Sequence, residues 1–380
     1  MAKKTTKLLN PFVYEGYESP EYFCDRTIES ERLIANLKNG RNTVLISPRK
    51  IGKTGLVKHV FHLIRQQNKD AVCIYTDIFH TQSQHDLTQA LGRAIIEEKL
   101  LDRRTPLDKV LRYFSQWRPT VSFDPLTGAP TVSVAFERSK SEFTLKSLFD
   151  YLKASGKEVY VAIDEFQTIT DYPEQGTEAL LRSHIQFIHN AHFIFSGSKM
   201  HLMAEMFSSP KRPFYQSTAT LALEPIHPEI YYDFASRFFN EKKGSINAAV
   251  FQQLYEQFDG YTWYLQSVLN RLYERERHVT DYQQVRDAIL SILSDKGSQY
   301  EMLMTFLTGN QFCLLKAIAM EGVVAQPQAN EFVLKYELSG GSSVKRALDV
   351  LKEKDLVYQT SKGYIVYDRF LDLWLKRTYR

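Results

Sequence analysis

Long hydrophobic runs are missing from this sequence of 380 residues. The longest, such as Val159–Ile163 and Phe193–Phe195, are strand-sized and far short of a membrane span, so no membrane partner is expected. Cysteine is scarce. Cys24, Cys73 and Cys313 are too widely spaced for a disulfide framework or a zinc site, and their apolar or aromatic neighbours predict burial of all three. An excess of one charge is lacking too: the formal net charge of +4 is too mild to make the whole chain a nucleic-acid binder. Residues 341–380, however, hold nine Lys and Arg against five Asp and Glu, which concentrates any basic surface at the C-terminal end. Behind the opening lysines there is no apolar stretch, so no secretory signal is expected and a cytoplasmic location is the default. Repeats and low-complexity tracts are absent. What is present is 43% hydrophobic and 24% charged, near the averages for globular proteins, in a length that suits two or three domains.

Between about residues 43 and 225 short apolar runs alternate with helical periodicity, the pattern of a parallel α/β sheet. Strands are expected at Thr43–Ile46, Val72–Thr76, Val159–Ile163, Phe193–Ser196 and Ala219–Leu223. Apolar residues spaced three and four apart predict helices near Gly55–Gln67, Asp86–Lys99, Glu142–Ala154 and Thr177–His189. Residues 120–136 break this rhythm with two alternating runs around Asp124-Pro-Leu-Thr-Gly-Ala-Pro130, the signal of an inserted β-hairpin. After Pro225 strands are expected to vanish, and His227–Leu293 reads as successive helices broken at Gly260. From Asn310 three short helical patterns, ending in Ser342–Lys354, precede Leu356–Gln359 and Tyr364–Tyr367. That is the order of a winged helix-turn-helix. The expected division is therefore an α/β core over 1–225, a helical domain over 226–300 and a winged helix over 301–380.

The run Ser47-Pro48-Arg49-Lys50-Ile51-Gly52-Lys53-Thr54 follows the first strand and precedes a helix that starts at Gly55. It matches G-x-x-x-x-G-K-[ST] except that Ser47 replaces the first glycine. Such a loop works by converging backbone N–H groups on a phosphate at a helix N-terminus. Gly52 allows the tight path, Lys53 neutralises the β- and γ-phosphates, and Thr54 ligates Mg²⁺. Ser47 can start the loop if its φ is negative. A chance Gly-Lys-Thr is the bland alternative, but Val159-Tyr-Val-Ala-Ile-Asp164-Glu165 delivers two carboxylates from the C-terminal end of a buried strand, where ligands bind in open parallel sheets. Asp164 would hold Mg²⁺ and Glu165 would be the general base. Ser196 or Ser198, at the end of the next strand, is placed as a polar γ-phosphate sensor, or caps the helix that follows. ATP is expected over GTP, because no Asn/Thr-Lys-x-Asp stretch is present to read guanine.

Together these residues resemble the archaeal-type ATPase family of prokaryotes, a branch of the AAA+-related STAND nucleotidases. Asn10-Pro-Phe and Phe23-Cys-Asp-Arg26, running to Glu29, are similar to the family's opening segment, which lies by the adenine in relatives. Arg26 is accordingly a candidate nucleotide contact. The resemblance continues through the P-loop, Ile163-Asp-Glu-Phe-Gln167 as Walker B, Ser196-Gly-Ser198 as the sensor, Gly260-Tyr-Thr-Trp-Tyr-Leu-Gln266 in the lid, and Tyr367-Asp-Arg-Phe-Leu-Asp-Leu-Trp-Leu375 at the winged helix's end. It implies an AAA+-like P-loop NTPase sheet followed by a helical lid and a winged helix. Three departures touch the phosphate end: Ser47; Thr262 in place of the lid proline; and Phe214-Tyr-Gln-Ser217 where many members have Leu-Tyr-Gly-Arg. The last removes an arginine-finger candidate, leaving Arg212 and Arg182 as substitutes.

A slow, Mg²⁺-dependent ATPase that works as a nucleotide-driven switch on a protein partner is the leading expectation. Two alternatives stand beside it. One is a DNA-binding ATPase whose recognition helix carries Lys345, Arg346, Lys352 and Lys354, with charge diluted by Asp349, Glu353 and Asp355. The other is an ATP-binding scaffold without significant turnover.

Overall fold

In the chain's computed structural model, residues 7–101, 118–123, 130–135 and 141–379 are described. They fall into two compact units, one of Glu15–Tyr231 and the other of Met1–Tyr14 with Tyr232–Arg380.

The first unit is built on strands β1 (Thr43–Ile46) and β2 (Val72–Asp77), then, beyond a hairpin of β3 (Arg118–Phe123) and β4 (Pro130–Ala135), on β5 (Val159–Asp164), β6 (Ala191–Gly197) and β7 (Ala219–Ala222). The five principal strands are all parallel, in the order β2-β5-β6-β1-β7. β1 and β5 each have a neighbour on both sides, which is why their apolar runs are nearly continuous. All six residues of β5 are buried, Asp164 included. Helix Lys53–Gln67 after β1 buries Leu56, Val57, Val60, Phe61 and Ile64, the three-and-four spacing of a helix with one face on a sheet. Helices Gln84–Leu101, Ser141–Ala154 and Thr177–Ile185 complete the alternation. Phe166, Phe195, Phe207 and Phe214 pack ring against ring with centroids 4.5–5.9 Å apart, making the core behind the end of β5. β3 and β4 pair antiparallel from Arg118↔Ala135 to Phe123↔Pro130; their connecting turn at 124–129 lies outside the described residues.

The second unit takes up helix Pro228–Glu241 from Tyr232, and helices Ala248–Gln257, Thr262–Arg275 and Tyr282–Thr305 follow. Strands do not vanish, as the sequence led us to expect: β8 (Ser245–Ile246) and β9 (His278–Val279) form a short parallel pair. The reason is a close approach of two loops, with Ser245 N–H donating to Arg277 O and Asn247 N–H to Val279 O. Phe12 is fully buried among Phe234, Phe238, Phe239 and Tyr273. Asn10 fastens it, donating to Asn270 O at 2.8 Å, while Asn270 Nδ2 donates to Phe12 O at 2.8 Å. Helices Gly309–Glu321, Asn330–Lys335 and Gly341–Glu353, then β10 (Val357–Thr360) and β11 (Gly363–Val366), form the winged helix. An isolated antiparallel bridge joins Val324 to Tyr364 of β11. The closing helix Arg369–Thr378 packs Phe370 on Phe258, Trp263 and Tyr264, so the winged helix and the preceding helices share one core.

Cys24 and Cys73 are buried, but Cys313 is exposed. The helix Gly309–Glu321 turns Leu314, Leu315 and Ile318 inward, which leaves Cys313 on the opposite face. No helix among the described residues is long and apolar enough to cross a membrane.

Candidate functional site

The loop between β1 and helix Lys53–Gln67 is where the sequence placed the phosphate. Ser47 is buried and is not among the residues with positive φ, so a side chain at the first loop position brings no backbone strain. Two later positions do leave the ordinary regions, Lys50 at φ 66 and Gly52 at φ 103, and turns of this hand are what point successive backbone N–H groups into one concavity. Gly52 is the N-cap of the helix, whose first-turn N–H groups have no partner within the helix. Lys53 is buried and its Nζ donates to Ser47 O at 2.8 Å and Pro48 O at 2.9 Å. Gly55 stands in the first turn, where a Cβ would come within 3.2 Å of Phe23.

Asp164 ends β5 and collects four hydrogen bonds. Thr54 Oγ1 and the Tyr75 hydroxyl donate to its Oδ2, both at 2.8 Å; Ser196 Oγ donates to Oδ1 at 2.6 Å, and the Glu165 N–H to Oδ1 at 3.1 Å. Glu165 stands at φ 55, in the left-handed region. Its Oε2 accepts from Gln167 Nε2 at 2.6 Å and from Ser198 Oγ at 2.8 Å. Ser198 in turn accepts from Arg49 Nε at 2.9 Å, so the phosphate loop and the carboxylate pair form one connected network. Arg49 also lies over the exposed Phe79 ring, 5.7 Å from its centroid.

Burial governs the titration of these groups. It pushes Lys53 down to about 8, against the pull of Asp164 and Glu165 in the other direction. Asp77, opposite Asp164 in the β2–β5 register, is held above the usual carboxylate range by partial burial and then by the charges of Asp164 and Glu165, although the Phe79 N–H on its carboxylate opposes this. Tyr75 is pushed up by burial and then by Asp164 beside it.

Ser47, Pro48, Arg49, Lys50, Ile51, Gly52, Lys53, Thr54, Gly55, Asp164, Glu165, Ser196 and Ser198 are thus gathered at the C-terminal end of the sheet. Arg26 joins them from behind: it is buried, at φ 67, with its guanidinium on Glu29 at 2.7 Å and on the Ile51 carbonyl at 3.3 Å. Phe23 and Arg26 therefore back the loop, whereas Asn10 and Phe12 belong to the other unit. Ser196 and Ser198 serve different carboxylates, Asp164 and Glu165. Neither caps the next helix, Met200–Ser208, whose N-cap is Lys199 without a side-chain bond. Arg212 is engaged elsewhere, paired with Glu178 and lying 3.6 Å from Glu205. Burial holds Glu178 above the usual range, while Arg212 draws it down. Arg182 is half-buried on helix Thr177–Ile185. Thr262 begins helix Thr262–Arg275 in the second unit. The loop's Phe214 is a core residue and Tyr215 is exposed.

Sequence reasoning missed Tyr75 and the contact of Gln167. Nothing in the sequence says that β2 lies next to β5, and only that pairing brings the Tyr75 hydroxyl to Asp164.

The donor set fits a magnesium nucleotide: one buried ammonium, one hydroxyl touching one carboxylate, and a helix N-terminus, all oxygen or cationic nitrogen chemistry suited to phosphate and a hard cation.

Residues 23–268 match the model of an ATPase domain predominantly from Archaea. Residues 298–377 match a model described as a probable winged helix domain. Among solved structures, the Walker-type ATPase PABY2304 of Pyrococcus abyssi is similar at 18% identity and a TM-score of 0.64, over 96% of this chain and 99% of that one. The ORC2 protein of Aeropyrum pernix, solved as ADPNP-ADP complexes, is similar at 17% identity and a TM-score of 0.57, over 97% of both chains. At these identities the likeness establishes the fold. No curated protein matches the chain.

Proposed function

The chain belongs to the family of ATPase domains found predominantly in Archaea, and from that premise we propose that it binds ATP with Mg²⁺ and hydrolyses it slowly, as a nucleotide-driven switch. The observation that carries this reading is the network that joins Thr54 to Asp164 and Arg49 through Ser198 to Glu165. Lys53 and the helix N-terminus neutralise and orient the phosphates, and Thr54 with Asp164 holds the cation. When bound, the magnesium nucleotide supplies the phosphoryl group and spreads the charge that develops on it. Glu165 Oε2 is held by Gln167 and Ser198, so Oε1 is the atom to take the proton from water. The bonds of Ser198 to Arg49 and Glu165 support a role as γ-phosphate sensor. The engagement of Arg212 by Glu178 supports slow turnover, since it leaves the cationic head on a carboxylate rather than on a phosphate.

Glu165→Gln tests the hydrolysis. Turnover should fall by about 10²–10⁴-fold with ATP affinity nearly unchanged; equal, slow turnover in both proteins would favour a scaffold that only binds. The switch is tested by small-angle scattering, where one envelope for apo, ADP and ATP-analogue states would count against it.

A second reading, DNA binding, rests on Lys345, Arg346, Lys352 and Lys354, which are all exposed on or just beyond helix Gly341–Glu353. Duplex affinity should then fall steeply with salt, and alanine at Lys345 and Arg346 should flatten that slope. An unchanged affinity would sink this reading.

A further inference from the structure

Three features around Glu165 each work against stability, and all three bear on one carboxylate. Glu165 itself occupies the left-handed region at φ 55, which residues with a Cβ adopt at a cost. Gln167 is 2% exposed; its Nε2 donates to Glu165 Oε2 at 2.6 Å, while its Oε1 is buried without a protein partner. An unpaired buried acceptor is a loss that an apolar side chain of the same shape would avoid. The third feature is Gly197 on β6, where a Cβ would stand 2.1 Å from Gln167 Oε1 and 2.6 Å from Met203 Sδ. The strand thus leaves out a side chain at the one place where the amide must fit.

Packing alone would favour methionine or leucine at position 167. The amide has one visible return, its bond to Glu165. We propose that Gln167 is a positioning residue for the general base: with Ser198 Oγ on the same oxygen at 2.8 Å, it fixes the carboxylate by two donors and turns the other oxygen toward the water. Ser198 is itself held by Arg49 of the phosphate loop, so the clamp ties the orientation of the base to the loop. The proposal rests on the reading of Glu165 as the base.

The test uses the full chain and four proteins: wild type, Gln167→Met, Glu165→Gln and the double variant, with Gln167→Leu run in parallel in case methionine packs poorly. Gln167→Met should keep ATP affinity within about twofold and a thermal midpoint equal to or above wild type, while kcat falls on the order of ten- to a hundredfold. In the Glu165→Gln background the same change should alter the residual rate by less than about twofold, because its effect passes through Glu165. Three outcomes overturn the proposal: wild-type kcat in both Gln167 variants; a loss of kcat accompanied by a lower thermal midpoint in both; or the same loss factor with and without Glu165. If Glu165→Gln turns over like wild type, the base assignment falls, and the positioning role falls with it.

Discussion

Lys53 illustrates how a single buried cation sets a pH response. Its folded value lies near 8, below the ordinary lysine value of 10.5, because burial disfavours the charged form. Between those two values the unfolded chain binds more protons than the folded one, so this group makes stability rise as pH rises from about 8. Nucleotide affinity runs the other way, since phosphate needs the ammonium. We expect ATP affinity to be flat below about pH 8 and to weaken by up to roughly tenfold per pH unit above it, with proton uptake on binding. Calorimetric titrations at several pH values in buffers of different ionisation enthalpy check this; an affinity flat to pH 9.5 without proton uptake contradicts it. Ser47 supports a second expectation at this scale. Its hydroxyl is buried without a protein partner and its φ is not positive. Ser47→Ala should leave ATP affinity unchanged and stability equal or higher by up to about 1 kcal/mol, read from denaturant midpoints. Tyr75→Phe bears on the proposed Mg²⁺ site: Asp164 Oδ2 keeps Thr54 but loses one of two donors, and the Mg²⁺ concentration for half-maximal turnover should rise.

At the level of elements, the ends of β5 and β6 do the placing. β5 ends on Asp164 and turns at once through the left-handed Glu165 into the short helix Phe166–Asp171, which sends Phe166 into the aromatic core and Gln167 back toward the carboxylate. β6 ends at Gly197; Ser196, still in the strand, donates to Asp164, and Ser198, just past its end, donates to Glu165. Gly197 between them is the tight point of the sheet. Gly197→Ala should lower stability by about 1–3 kcal/mol through overpacking against Gln167 and Met203, and should impair turnover because it displaces the amide on Glu165. Chemical denaturation alongside an ATPase assay reads both; a fully stable, fully active Gly197→Ala would refute the account of this junction.

For the whole molecule, the division into two units assigns the N-terminal segment twice. Phe12 lies in the core of the unit that includes Tyr232–Arg380, whereas Glu15–Tyr231 is the unit with the sheet. Asn10→Ala removes the side chain's bond to Asn270 O and its acceptance of the Phe12 N–H. We expect it to destabilise the second unit by about 1–2 kcal/mol while ATP affinity is unchanged, as differential unfolding probes in the two units would register.

The five principal strands of the sheet, the Ser47–Thr54 loop after the first and the Asp164–Glu165 pair at the end of β5 were legible in the sequence, because local periodicity and short motifs encode them directly. The β1 and β2 boundaries came within one residue of Thr43–Ile46 and Val72–Asp77, since runs bounded by turn residues and buried on both faces leave few alternatives. Less legible was the helix after Walker B, expected to reach His189 but ending at Ile185, where residues 186–189 keep the apolar spacing without the helix. What only the tertiary structure decided was adjacency: that β2 lies by β5 and so brings Tyr75 to Asp164, that Ser196 and Ser198 serve different carboxylates, that Arg212 is drawn to Glu178, and that Cys313 faces outward. Each of these depends on which segments far apart in the chain come to lie side by side. A single sequence carries the periodicity of each segment and no direct record of its neighbours.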